Sequence, residues 1–208
     1  MRYGRDADSV RLIAVSKTQP AAAIRTLAQL GQQDFGENYV QEALPKLADL
    51  GDLPLTWHFI GQLQTNKTRA VAEHFHWVHT LDRERIAVRL SEQRTPHAPP
   101  LNVCIQVRLA DEPGKGGISK TELAPLARRV LELPRLQLRG LMCIPPPREG
   151  FEAQRQLFVE LADCVRELRE QGMPLDTLSM GMSADLEAAV AAGATCVRIG
   201  TAIFGERR

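Results

Sequence analysis

The chain has 208 residues and a mass of 23.1 kDa, with 26 Lys and Arg against 25 Asp and Glu for a formal net charge of +1. That length supports one sizeable core rather than two cramped domains, and the balanced charge, with no basic run, offers nothing to recruit nucleic acid. No apolar stretch reaches the ~18 residues of a membrane span, and MRYGRDADS at the start has no apolar signal core, so a cytoplasmic chain free of membrane is expected.

Short apolar runs then alternate with longer stretches of helical period. The first strand is expected at 11–16, ending LIAVSKT with Lys17 just beyond it, and the first helix at 21–30, closed by Gly31. A short strand at 34–35 precedes a helix at 40–49. Strands at 56–60 and 77–80 flank a helix at 66–73, and a helix at 83–93 leads through the proline-containing loop 95–100 to a strand at 102–108. A helix at 120–133, a strand at 137–142, a long helix at 151–171 stopped by Gly172, a strand at 177–180, a helix at 184–192 and a strand at 196–199 complete the series. Cys104, Cys143, Cys164 and Cys196 are scattered without metal-ligand spacing, and read as buried reduced thiols.

Eight strands joined by crossover helices imply a parallel sheet, and at this length a single closed (β/α)8 TIM barrel over 1–208. An open doubly wound sheet would carry a Gly-rich turn after its first strand, where this chain reads SKTQP. In such barrels the C-terminal strand ends share one mouth, where ligands are handled. Position alone then singles out Lys17, Glu37, Asn38, His58, Met142, Met180, Ser183, Arg198, Gly200 and Thr201. Apolar surroundings disfavour the ammonium form of a lysine and free its amine to attack a carbonyl, so Lys17 suits Schiff-base chemistry; the plainer alternative is a lysine that only snorkels to solvent. Gly200 and Thr201, with residues 202–204 able to start a short helix, and Ser183 on the neighbouring loop offer N–H groups and hydroxyls to a phosphate. The plainer alternative there is Ser183 as an N-cap and Gly200 as a tight turn. A phosphate site facing a Schiff-base lysine suggests pyridoxal phosphate.

The stretches AVSKTQP, FGENYVQE, WHFIGQLQTNK, RGLMCIPP and LSMGMSADLEAAVAAGATCVRIGTAIFG, in that order, resemble the YggS/PROSC family of pyridoxal-phosphate-binding proteins from about Val10 onward. The resemblance implies a fold-type III barrel related to the N-terminal domain of alanine racemase, with pyridoxal 5'-phosphate held as an aldimine on Lys17. It further implies that Ser183, Gly200 and Thr201 hold the phosphate, that Arg198 faces the pyridine nitrogen, that Asn38 lies beside the cofactor, and that His58, Met142 and Met180 are wall residues.

An arginine at the ring nitrogen leaves that nitrogen unprotonated, a poor electron sink. Alanine racemase and its relatives add a β-domain with a catalytic tyrosine. Here Tyr3 and Tyr39 are the only tyrosines, in contexts that do not suggest that role. The implied role is therefore a carrier that buffers or delivers pyridoxal phosphate in vitamin B6 homeostasis, with pyridoxal-phosphate-dependent apo-enzymes as partners and a monomeric state. The alternative is a weak amino-acid racemase or lyase, for which His58 and Cys143 are the acid/base candidates, although a core histidine and a buried wall thiol are the plainer readings. A barrel that binds phosphate metabolites without covalent chemistry would leave Lys17 without a role. The family usually carries a helix before its first strand, which is expected to be missing here, with apolar surface then exposed beneath the barrel. Lys115 in DEPGKGGIS and the Arg207–Arg208 tail read as solvated charges.

Overall fold

The computed structural model describes residues 2–110 and 116–205, so Lys115, Arg207 and Arg208 lie outside it. Strands β1 (Arg11–Val15), β2 (Asp34–Glu37), β3 (Thr56–Phe59), β4 (Trp77–Leu81), β5 (Leu101–Gln106), β6 (Leu136–Met142), β7 (Thr177–Ser179) and β8 (Cys196–Ile199) pair in sequence order. All neighbours are parallel, and β8 closes the barrel on β1 through pairs such as Ile13 with Arg198. Helices α1 (Ala21–Gln29), α2 (Val40–Asp49), α3 (Thr68–His74), α4 (Glu84–Gln93), α5 (Lys120–Leu131), α6 (Phe151–Glu170) and α7 (Leu186–Ala191) fill the crossovers, and a short α8 (Thr201–Phe204) follows β8. The fold is the expected (β/α)8 barrel.

Each crossover helix presents one apolar stripe to the outer face of the sheet. In α6, Phe158, Leu161, Val165 and Leu168 recur at three- and four-residue intervals and are buried. In α5, Leu123, Leu126, Ala127 and Val130 do the same, while Glu122 accepts from the Ser119 N–H at 3.0 Å to close the helix entry. These side chains merge with Phe35, Trp57, Phe59, Val103, Leu138 and Val197 into one apolar layer between strands and helices. Inside the barrel a separate, smaller cluster of Trp77, Cys104 and Met142 packs beneath the mouth.

One local departure from the expected boundaries matters for the site. Helix α7 begins at Leu186, not at residue 184, because Asp185 turns back to accept the Met182 N–H at 2.6 Å. Gly181 makes that turn feasible. Its φ is +97°, and a Cβ would stand 2.6 Å from the Ala189 methyl, so only glycine lets the β7 end cross α7 this closely.

Two 3-10 turns, Arg2–Gly4 and Ala7–Ser9, precede β1. Tyr3 stacks on Phe151 at 5.6 Å and Arg5 donates to the Ala194 carbonyl at 3.0 Å. At this N-terminal mouth the guanidiniums of Arg11 and Arg139 flank Trp77 at 5.5 and 5.0 Å.

Candidate functional site

A cavity of about 320 Å³ opens at the C-terminal mouth of the barrel. Val15, Lys17 and Gln19 reach it from the β1 end, Asn38 and Ile60 from the next two strands, and Ile144 from the loop after β6. Met182, Ser183 and Ala184 come from the loop after β7, and Arg198, Gly200, Thr201, Phe204 and Gly205 from β8 and its exit. Six of the residues singled out in the sequence, Lys17, Asn38, Ser183, Arg198, Gly200 and Thr201, therefore share one cavity. Among the described lining residues the ionisable side chains are Lys17 and Arg198, two cations that suit an anionic ligand.

Lys17 is half-buried at the head of a tightly held turn. Ser16, just before it, donates from Oγ to Glu37 Oε1 at 2.6 Å, and Lys46 of α2 donates to both Glu37 Oε1 and the Ser16 carbonyl at 2.9 Å. Glu37 is fully buried, and that burial raises its pKa against the opposing pull of the Ser16 and Lys46 hydrogen bonds. Thr18, just after, has φ +64°, a left-handed conformation uncommon for a β-branched residue, and its N–H is held by Glu42 at 3.2 Å. The strain sits in the turn that sets the direction of Lys17.

Asn38 owes its place to a close backbone approach. A Cβ on Gly61 would fall 2.0 Å from the Asn38 carbonyl oxygen, so only glycine lets the β3 exit press against this loop. The Asn38 Oδ1 atom is buried without a hydrogen-bond partner among the described residues. Ser183, exposed at the rim, does not cap α7; its Oγ accepts from the Ala202 N–H at 3.4 Å and ties the loop after β7 to the exit of β8. Arg198 is buried, donating through Nη1 to Ser179 Oγ and through Nη2 to the Cys143 carbonyl, each at 2.8 Å.

Three expected wall residues do not line the cavity. His58 is fully buried lower in the barrel, bonded to Asp34 at 2.8 Å and to His79 at 2.9 Å. Met142 packs against Trp77 and Cys104 in the barrel interior. Met180 belongs to the apolar layer outside the strands, because its neighbour Ser179 takes the inward position and side chains alternate along a strand. The wall is built instead from Val15, Ile60, Ile144, Met182 and Phe204. Cys143, the other acid/base candidate, is buried, and burial pushes its thiol up to about 12. Gln19 carried a usable signal, two residues beyond Lys17 on the same strand exit; Phe204 carried none.

The family pattern described as "Alanine racemase, N-terminal domain" matches residues 3–208. A protein of Pseudomonas aeruginosa named "Pyridoxal phosphate homeostasis protein" is 57% identical over 204 residues, which is 98% of this chain and 87% of that protein. The chain belongs to the pyridoxal phosphate homeostasis protein family. PipY of Synechococcus elongatus PCC7942, solved with PLP bound, superposes with a TM-score of 0.90 at 42% identity, covering 98% of this chain and 96% of that one. Alanine racemase from Corynebacterium glutamicum shares the fold alone, with a TM-score of 0.72 at 17% identity over 96% of this chain and 56% of its own.

The residues present fit the group this family is named for. An amine and a buried guanidinium share the cavity with two hydroxyls, and the unpartnered Asn38 Oδ1 borders it. Gly200 adds a second sign. Its φ is not left-handed, and a Cβ there would meet Val15 at an ordinary 3.5 Å, so neither backbone strain nor packing demands glycine at this cavity wall. Among the described residues no helix is long and apolar enough to cross a membrane.

Proposed function

We propose that this chain binds pyridoxal phosphate in the C-terminal cavity and serves its homeostasis, holding it reversibly on Lys17 and buffering or delivering it without substantial catalysis. The observation that carries this reading is the joint placement of Lys17 and Arg198 in one cavity with the Ser183 and Thr201 hydroxyls. Lys17 supplies the amine. Ser183, Thr201 and the Gly200 backbone hold the phosphate, and Arg198 donates to the ring nitrogen. When bound, the cofactor supplies an electrophilic carbon and a conjugated ring.

What this chain's residues do beyond binding is limited. A racemase or lyase needs a second acid/base within reach of the substrate, roughly 2.6–3.2 Å or one water away. His58 is committed to Asp34 and His79 away from the cavity, and the Cys143 thiol stays protonated at neutral pH. Arg198 as a permanent donor keeps a ring nitrogen unprotonated, which weakens any electron withdrawal. The reading extends to action as a monomer in the cytoplasm with apo-enzymes as recipients; light scattering on the purified chain checks the first.

The test is the visible absorbance of the purified chain with pyridoxal phosphate, followed by borohydride reduction and peptide mapping, with L-alanine in a parallel sample. A trapped adduct on Lys17, lost in Lys17→Ala and unaffected by alanine, is the expected result. D-alanine production would replace the carrier with an enzyme, and binding that survives Lys17→Ala with unchanged absorbance would leave a simple phosphate-metabolite binder.

A further inference from the structure

A chain of short hydrogen bonds runs through the barrel from the cavity arginine to the opposite mouth. Arg198 Nη1 donates to Ser179 Oγ at 2.8 Å, Ser179 Oγ lies 2.8 Å from His79 Nδ1, and His79 Nε2 lies 2.9 Å from His58 Nδ1. His58 Nε2 then lies 2.8 Å from Asp34 Oδ1, with Arg11 a further 3.7 Å from the same oxygen. Ser179, His79 and His58 are fully buried, whereas the Asp34 side chain is 21% exposed. Trp77 stacks on both imidazoles, with ring centroids 5.6 Å away in each case. Only Arg198 of this set lines the cavity, so ligand binding alone gives the other four no role.

Donor counting sets a direction. A guanidinium only donates, so Ser179 Oγ accepts from Arg198 and has one hydrogen left for His79 Nδ1. With Asp34 ionised, His58 Nε2 carries the hydrogen that faces it. A neutral His58 then has a bare Nδ1, which takes the hydrogen on His79 Nε2 and leaves His79 Nδ1 bare for the serine. Every link is satisfied with both imidazoles neutral and every hydrogen pointing from Arg198 towards Asp34.

One added proton reverses this order. His58 becomes an imidazolium donating through both nitrogens, the His79 hydrogen moves to Nδ1, and Ser179 Oγ is left accepting from both sides. Burial opposes that state by lowering the pKa of both histidines. At His58 the facing groups are Asp34, which raises its pKa, and Arg11 and His76, which lower it; at His79 they are His58, Arg198 and Arg11, all lowering. Around Arg198 the facing groups are Asp185, which favours its charged form, and the thiols of Cys143, Cys196 and Cys104, which burial holds protonated.

We propose that Ser179, His79, His58 and Asp34 are positioning residues for Arg198, forming a one-way neutral relay that fixes the guanidinium. The proposal rests on the reading that a pyridoxal phosphate ring lies against Arg198, and it deepens that reading. Protonation at the Asp34 end changes what Ser179 offers Arg198, and so couples the hold on the ring nitrogen to the opposite side of the barrel.

The experiment is ¹⁵N-histidine NMR of the full ligand-free chain near neutral pH, then of the chain loaded with pyridoxal phosphate. Two neutral imidazoles with hydrogen on Nε2 are expected, one of which, His79, shifts in Ser179→Ala. The same variant should bind pyridoxal phosphate roughly tenfold more weakly, as loss of a hydrogen bond to a charged group implies. His79→Gln, which accepts and donates but takes no proton, should flatten the pH profile of the bound-cofactor absorbance. Hydrogen on His79 Nδ1, or Ser179→Ala binding as tightly as the parent with an unchanged pH profile in His79→Gln, overturns the relay. If the parent chain binds no pyridoxal phosphate, the functional reading fails instead, and the ligand-free tautomers still decide the relay.

Discussion

Lys46→Met separates the electrostatics behind Lys17 from ordinary packing. The ammonium is 2.9 Å from Glu37 Oε1 and 2.9 Å from the Ser16 carbonyl, and its side chain is only 11% exposed against 0% for Glu37. Removing one partner of a buried ion pair costs about 3–5 kcal/mol, because the remaining charge is stranded. Two features reduce that figure here: the Ser16 hydroxyl still donates to Oε1 at 2.6 Å, and Glu37 can escape by taking a proton. We expect a net loss of about 2–4 kcal/mol near pH 8, or roughly 5–12 °C in Tm for a chain of this size.

The pH dependence follows from the sign of the Glu37 shift. A folded-state carboxyl pKa raised by burial means the folded chain binds its proton more tightly than the unfolded chain. That contribution is complete below the ordinary carboxyl range and is lost as pH rises through the raised value. Without Lys46, which opposes the shift, the pKa rises further and the high-pH loss grows. Urea unfolding of parent and variant near pH 5 and pH 8 should therefore show a variant penalty at least ~1 kcal/mol smaller at the lower pH. An equal penalty at both, or one below ~0.5 kcal/mol throughout, would refute the stranded-carboxylate argument.

Gly200→Ala should leave Tm within about 1–2 °C, because the added methyl meets Val15 at 3.5 Å, yet weaken pyridoxal phosphate binding at least ~10-fold by intruding on the cavity; equal affinity in a titration would remove Gly200 from the site. Gly181→Ala should instead destabilise by about 2–4 kcal/mol, from a left-handed φ of +97° and a 2.6 Å approach to Ala189, and thermal unfolding of the ligand-free chain reads this directly. Thr18→Gly should stabilise the fold by up to ~1 kcal/mol by relieving the φ of +64°, while slowing adduct formation at Lys17 as the turn loses its fixed direction; stopped-flow absorbance measures the second effect.

The order and type of the elements were readable from residue patterns alone. Strand β8 and helix α2 fall where the apolar runs place them, α2 even with Pro45 inside it, because tertiary burial of Val40 and Ala43 outweighs the lost backbone donor. Lys17, Asn38, Ser183 and Thr201 were legible for a related reason: residues just past the C-terminal end of a barrel strand point to one mouth whatever the exact register. Resemblance to known sequence blocks then agreed with the ligand class that the lysine and the phosphate-binding loop already suggested.

Depth along the barrel and the side each strand residue faces were not readable: His58 and Met142 point inward below the cavity, and Met180 points to the helix layer. All five residues of β4 are buried, so no polar alternation marks His79 as inward, and the register of β5 shifts against both β4 and β6. A one-residue slip moves a side chain from the barrel interior to the helix layer. Composition and local pattern thus determined that this chain forms eight parallel strands with a lysine at the mouth. Closure of the barrel alone decided which polar residues meet inside it, because the links from Arg198 to Asp34 join residues up to 100 positions apart that no local signal connects.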